Sequence, residues 1–244
     1  MKILNFFNLR TFLAVAIAQF AAFLAISFQL KFNFNILLFS IAIVFPLHFS
    51  IQAAFKRRDR ALEFFSLFKG GTMALHYSFQ VSEDLPTEGK QEARSLLKGM
   101  TDQLFKQLEN RIQGYQSFQK FLDDIFIFIE KNKEGISKRN QLRMIRYVKD
   151  VTESSTYLLS LVNHRTMAGL RFYGIFFTMI FPIIQAPIML YRLESLIPVW
   201  CFYLLMAITS LILITISNFQ SMIEYPFDQR GMDNIQIRDF KLDI

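Results

Sequence analysis

The chain has 244 residues, 52% of them hydrophobic, with 29 Phe against one Trp and a mean hydropathy of +0.28. That balance excludes an ordinary soluble domain and makes the membrane class the first to test. In so apolar a chain the net charge of +7 points to membrane flanks rather than nucleic acid, and a lone cysteine, Cys201, excludes an intrachain disulfide.

A hydrocarbon core about 30 Å thick needs roughly 20 apolar residues in helix. Residues 11–30 are uncharged and form the first expected span. Lys2, Arg10 and Ala14-Val15-Ala16 also have the form of a secretory signal, but cleavage there leaves almost no apolar stretch ahead of the cut. The second span covers residues 33–55, uncharged but for His48, and nothing stops its helix from running on to about Phe79. Pro46 inside it is a candidate kink. The polar stretch Ser82–Lys90, with Pro86, reads as a break between helices.

Downstream, Leu97, Met100, Leu104, Leu108, Ile112, Tyr115, Phe118, Leu122, Ile125 and Ile129 recur at three- and four-residue spacing, which predicts one continuous helical face. Gly135 and Ser137 have the form of a stop and an N-cap. A further helix is then expected to turn Leu142, Ile145, Val148, Val151, Ser155, Leu158 and Val162 inward. These stripes are read as contacts between subunits, with a self-contained helical hairpin as the alternative. The third span covers 171–191, with Pro182 and Pro187, and the fourth 196–222, with Pro198 ahead of it; residues 224–244 form a polar tail.

The fold class is therefore all-α: an integral membrane protein with four transmembrane helices in two hairpins, residues 1–55 and 171–223, around a long cytosolic helical region, 56–170. Lys31, Arg192 and Glu194 sit in the short links, whereas Lys56-Arg57-Arg58-Asp59-Arg60 and Arg165 and Arg171 flank the central region. The positive-inside rule places both termini in the cytoplasm of a multi-pass protein of the plasma or inner membrane.

Signatures of catalysis are absent from the sequence. It has no Gly-rich phosphate loop, HExxH or GxSxG, and His48, His76 and His164 lie far apart. Asp123-Asp124 are helix neighbours that point to different faces and make no acid–base dyad. The cluster at Lys56–Arg60 lacks the interleaved aromatics of a nucleic-acid site. An enzyme is not expected, nor any cofactor or nucleic-acid partner.

Two motifs carry a family resemblance. Glu224-Tyr225-Pro226-Phe227 follows the last span, and Asp228, Asp233, Asn234 and Ile235 come after it. Phe49 lies eight residues before Arg57, and Ala61 four beyond it. With the order of two spans, a helical region, two spans and an acidic tail, the chain resembles the bestrophin family of anion channels and bestrophin-like membrane proteins.

The resemblance implies an oligomer, a homopentamer, that passes chloride-type inorganic anions across the lipid bilayer. It implies a hydrophobic neck of Ile41, Phe45 and Phe49, and an anion-attracting cytoplasmic mouth of Lys56, Arg57 and Arg58. His48 is expected to face elsewhere and to bond to another helix. The calcium-binding acidic cluster of animal members is diluted here to Asp228, Asp233, Asn234 and Asp239, broken by Arg230 and Arg238, so no metal is expected. Glu224, Pro226 and Phe227 instead read as a latch, with Phe227 and Ile235 as its apolar teeth. The alternative function is a non-conducting scaffold or sensor that binds a partner protein through Leu104, Leu108 and Ile112.

Overall fold

The structure, a computed structural model, describes residues 8–112, 114–164, 168–193, 196–223, 225, 227 and 235–242. Lys2, Arg165, Glu194, Glu224, Pro226, Asp228, Arg230, Asp233 and Asn234 lie outside the described residues. Every described element is helical. In chain order they are α1 (Leu9–Ser27), α2 (Ile36–Val81), α3 (Thr87–Asn110), α4 (Gln116–Lys131), α5 (Lys138–Asn163), α6 (Ala168–Leu193), α7 (Val199–Ile223) and a 3₁₀ turn at Ile237–Phe240. Four helices, α1, α2, α6 and α7, are long and apolar enough to cross a membrane.

The chain divides into two compact units, Met1–Lys56 with Thr166–Glu224, and Arg57–Arg165 with Tyr225–Ile244. In the first, α1 packs on α6 and α7 through a face of small residues: Thr11, Ala14, Ala18, Ala21, Ala22 and Ala25 are its buried positions. Lipid offers no hydrophobic drive for apolar helices to associate. Small side chains let backbones approach, and polar groups then pin them. Asn218 Nδ2 donates to Thr11 Oγ1 at 3.0 Å, Ser210 Oγ to the Ala14 carbonyl at 3.0 Å, and Gln19 Nε2 to the Tyr203 carbonyl at 3.1 Å.

The second unit is built round the C-terminal half of α2 with α3, α4 and α5. Phe65, Phe68, Thr72, Leu75 and Phe79 of α2 are buried at alternating three- and four-residue steps, in a core with Leu97, Leu104, Phe118 and Leu158. At Gly71 the helices come very close: a Cβ there would meet Val151 Cγ2 at 2.9 Å. Only glycine fits.

Three expectations about this unit are corrected. The face from Leu97 to Ile129 is not one helix. Arg111 (φ 54) and Gly114 (φ 116) take left-handed conformations that end α3, and the N–H groups of Arg111 and Ile112 close back on the Gln107 carbonyl. Ile112 falls in this turn and is exposed. Secondly, α5 turns inward from Met144 through Val151, Ser155, Leu158 and Val162, leaving Leu142 and Ile145 outside. The inward stripe is set by the tight fit of Val151 on Gly71, which puts Leu142 on the opposite face. Thirdly, Leu97, Met100, Leu104 and Leu108 are fully covered by the chain's own core, so that stripe is not a contact between subunits. The same burial removes the partner face on which the scaffold alternative rested.

Candidate functional site

Within the first unit, α2 has two opposite faces. Ile43, Leu47, Ser50 and Ala54 are buried, at 3%, 5%, 2% and 1% exposure. Ile41, Phe45 and Phe49 are 43%, 56% and 58% exposed. At about 100° per residue the two sets lie roughly 180° apart on the helix. The buried face is anchored by Gln220 Nε2, which donates to Ser50 Oγ. Its register is therefore fixed, and the stripe Ile41, Phe45, Phe49 points away from the chain's own helices.

Pro46 lies between two of these residues and does not break α2, which is helical from Ile36 to Val81. A proline has no N–H for the carbonyl four residues earlier, that of Ala42. Tyr173 Oη on α6 donates to that carbonyl at 2.9 Å. In an apolar surrounding a helix tolerates proline where a neighbour satisfies the freed group. The rings of Phe45 and Phe49 lie 6.1 Å apart, tilted by 56°. His48 departs from both expectations: it lies seven residues after Ile41, on the outward side, and among the described residues no hydrogen bond joins it to another helix. It is exposed, and its ring meets that of Phe49 edge-on at 6.0 Å.

The outward stripe continues through Gln52, which the sequence reading missed, to Lys56, which it named. Gln52 and Lys56 are both exposed and follow Phe49 at three and seven residues, on the same face. Up to Lys56 one helix face thus passes from apolar to polar to cationic, and the exposed Asp59 follows at i+3. The three cations of the expected mouth are placed differently. Lys56 is exposed, but Arg57 and Arg58 are half-buried. Arg57 Nη2 donates to the Leu161 carbonyl at 3.0 Å, in the last turn of α5. A helix C-terminus carries partial negative charge, so this guanidinium acts as a cap on α5.

The described part of the tail belongs to the second unit. Phe227 is fully buried, edge-on to Phe65 at 5.7 Å, and Ile235 is buried too. Tyr225, Ile237 and Phe240 join them, which the sequence reading did not single out. Tyr225 Oη donates to the Leu108 carbonyl at 2.7 Å, the Arg111 guanidinium sits 4.0 Å over its ring, and Phe240 stacks on Phe65 at 4.8 Å. Of the acidic residues after the last span, Asp239 is described, and its backbone carbonyl accepts from Lys69 Nζ at 3.0 Å.

The sequence matches no protein-family model and no curated protein sequence. Solved structures do match. Two mutant forms of a bacterial bestrophin homologue from Klebsiella pneumoniae superpose with TM-scores of 0.73 and 0.74 at 15% and 14% identity, each covering 95% of this chain and 93% of that one. A crystal structure described as a mutant membrane protein gives 0.75 at 15% identity, with the same coverage. The fold is bestrophin-like. Likeness at this identity establishes the bestrophin-like architecture over nearly the whole chain, and the side chains on its α2 face are this protein's own.

Proposed function

We propose that the protein is an oligomeric anion channel, a homopentamer in the plasma or inner membrane with both termini cytoplasmic. Its path runs along the outward face of α2. The observation that carries this reading is the face itself: Ile41, Phe45 and Phe49 stand outward, opposite a fully packed face, and lead into Gln52 and Lys56. An apolar stripe alone would suit lipid equally well. A stripe that turns polar and then cationic in register suits the wall of an aqueous path.

Rings of Ile41, Phe45 and Phe49 around an axis would form a neck that blocks ions by dewetting and conducts when it widens. Phenylalanine edges carry the positive end of the ring quadrupole, so such a neck tolerates an anion better than a cation. Lys56, about 10 Å further along the helix by its seven-residue separation, would raise the local concentration of chloride-type anions. Arg57 and Arg58 stand back from that role. Phe227, with Glu224 and Pro226, serves the second unit as a latch.

Reconstitution in liposomes tests the reading. Anion flux is expected from the wild-type protein, with higher flux or weaker closure in Phe49→Ala and Phe45→Ala. Flux through the protein that neither substitution alters would remove the neck from α2.

A further inference from the structure

Exposed apolar pairs remain on α2 (Tyr77 and Val81), α4 and α5 of the second unit after its core is complete, and the charges around the last two are opposite. On α4, Phe126 and Ile127 are exposed, with Asp123 and Glu130 at i−3 and i+4 from Phe126 at the centre of the face and Lys131 at i+4 from Ile127 on its edge. On α5, Leu142 and Ile145 are exposed, with Arg146 and Lys149 on their face. From Lys138 to Lys149 this helix has only basic charges. Asp123 accepts a hydrogen bond from Gln119 within α4. Among the described residues no hydrogen bond or ion pair engages the side chains of Glu130, Arg146 or Lys149.

Exposed apolar residues ringed by charge mark contact surfaces. α4 against a second α4 would oppose carboxylates, and α5 against α5 would oppose cations. α4 against α5 opposes unlike charges around apolar centres, and that complementarity selects the partner. A contact between two different patches on identical chains is also the kind that propagates round a closed ring.

We infer that the α4 face of one copy docks on the α5 face of the next, Phe126 and Ile127 against Leu142 and Ile145, with Glu130 set against Arg146 and Lys149. The inference rests on the oligomeric reading above and assigns the contact that builds it.

Mixed single-cysteine chains test it on the full-length protein, in a Cys201→Ser background that removes the native thiol. One tagged chain has Ile127→Cys and the other Ile145→Cys. Oxidation is expected to link the two tags, whereas Ile127→Cys chains alone stay unlinked. Glu130→Lys is expected to lose the full-size assembly on native mass measurement, and adding Arg146→Glu to restore it. A full-size assembly with no 127–145 link and no response to Glu130→Lys overturns this contact and leaves the channel standing. A linked particle of only two copies upholds the contact and overturns the ring. A monomer overturns both. Protection of the α5 face by anionic vesicles, without a link, assigns that face to lipid and overturns the contact.

Discussion

Tyr173 Oη on α6 donates to the carbonyl of Ala42 on α2 at 2.9 Å, the one carbonyl that Pro46 leaves without its helical donor. The pair explains how a proline can sit between Phe45 and Phe49 while α2 stays continuous. It also ties the helix of the proposed neck to a neighbour at the level where it would need to move.

The first prediction is a coupling between these two positions. Tyr173→Phe leaves the Ala42 carbonyl without a donor, at a cost of about 1 kcal/mol, between the averages for membrane hydrogen bonds and for unsatisfied buried groups. Pro46→Ala restores an N–H to that carbonyl. Tyr173→Phe should then cost less in the Pro46→Ala background than in wild type, a non-additivity read from thermal unfolding in detergent. Equal costs in both backgrounds would mean the hydroxyl does not replace the missing donor.

A second prediction separates neighbouring cations. Lys56→Gln is expected to lower anion conductance at low salt, with the effect shrinking as the Debye length falls from about 30 Å at 0.01 M to about 3 Å at 1 M. Arg57→Gln removes the donor to the Leu161 carbonyl and is expected to cost about 1.5–3 kcal/mol of stability, the range for hydrogen bonds to a charged group. Its effect on conductance should be the smaller of the two.

The tail gives a third. Phe227 is fully buried against Phe65 and Tyr225, so Phe227→Ala is expected to cost about 3–5 kcal/mol. Tyr225→Phe, which strands the Leu108 carbonyl, should cost about 1–3 kcal/mol. Limited proteolysis should cut the tail of the Phe227→Ala variant first.

The fourth concerns the contact of α2 with α5. Gly71→Ala pushes a methyl to 2.9 Å from Val151 Cγ2, an overpacking expected to cost about 1–3 kcal/mol. Val151→Ala should recover part of that loss when added to Gly71→Ala, and cost stability alone. Thermal unfolding of the four proteins checks the sign.

Much of this fold could be read from composition alone, and the physical reason is the bilayer. A span must be long, uncharged and helical, so four such stretches were expected, and four helices, α1, α2, α6 and α7, are long and apolar enough to cross a membrane. The second unit was harder. Leu97 to Ile129 keeps a helical period across a real break, because the turn at Arg111–Gly114 inserts its residues without disturbing the apolar spacing. Gly114 was the available signal. Leu142 and Ile145 fit an inward stripe by period, yet Gly71 decides the register of α5 from a distance of 80 residues in sequence, about which a local pattern is silent.

The site was legible in its residue types and not in its geometry. Ile41, Phe45 and Phe49 were grouped by the family resemblance, since in a chain with 29 Phe spacing alone offers many such trios. Which face of α2 is outward follows from Ser50 meeting Gln220, a contact across 170 residues. The role of Arg57 is likewise invisible in the run Lys56–Arg60. It depends on the end of α5 arriving beside it.

The most direct test of the central claim is a reconstruction of the purified assembly viewed along its symmetry axis. The expected view has α2 from every copy innermost, five in number, with Ile41, Phe45 and Phe49 facing an open path. Another helix at the centre, or lipid filling the axis at the level of Phe49, would contradict it.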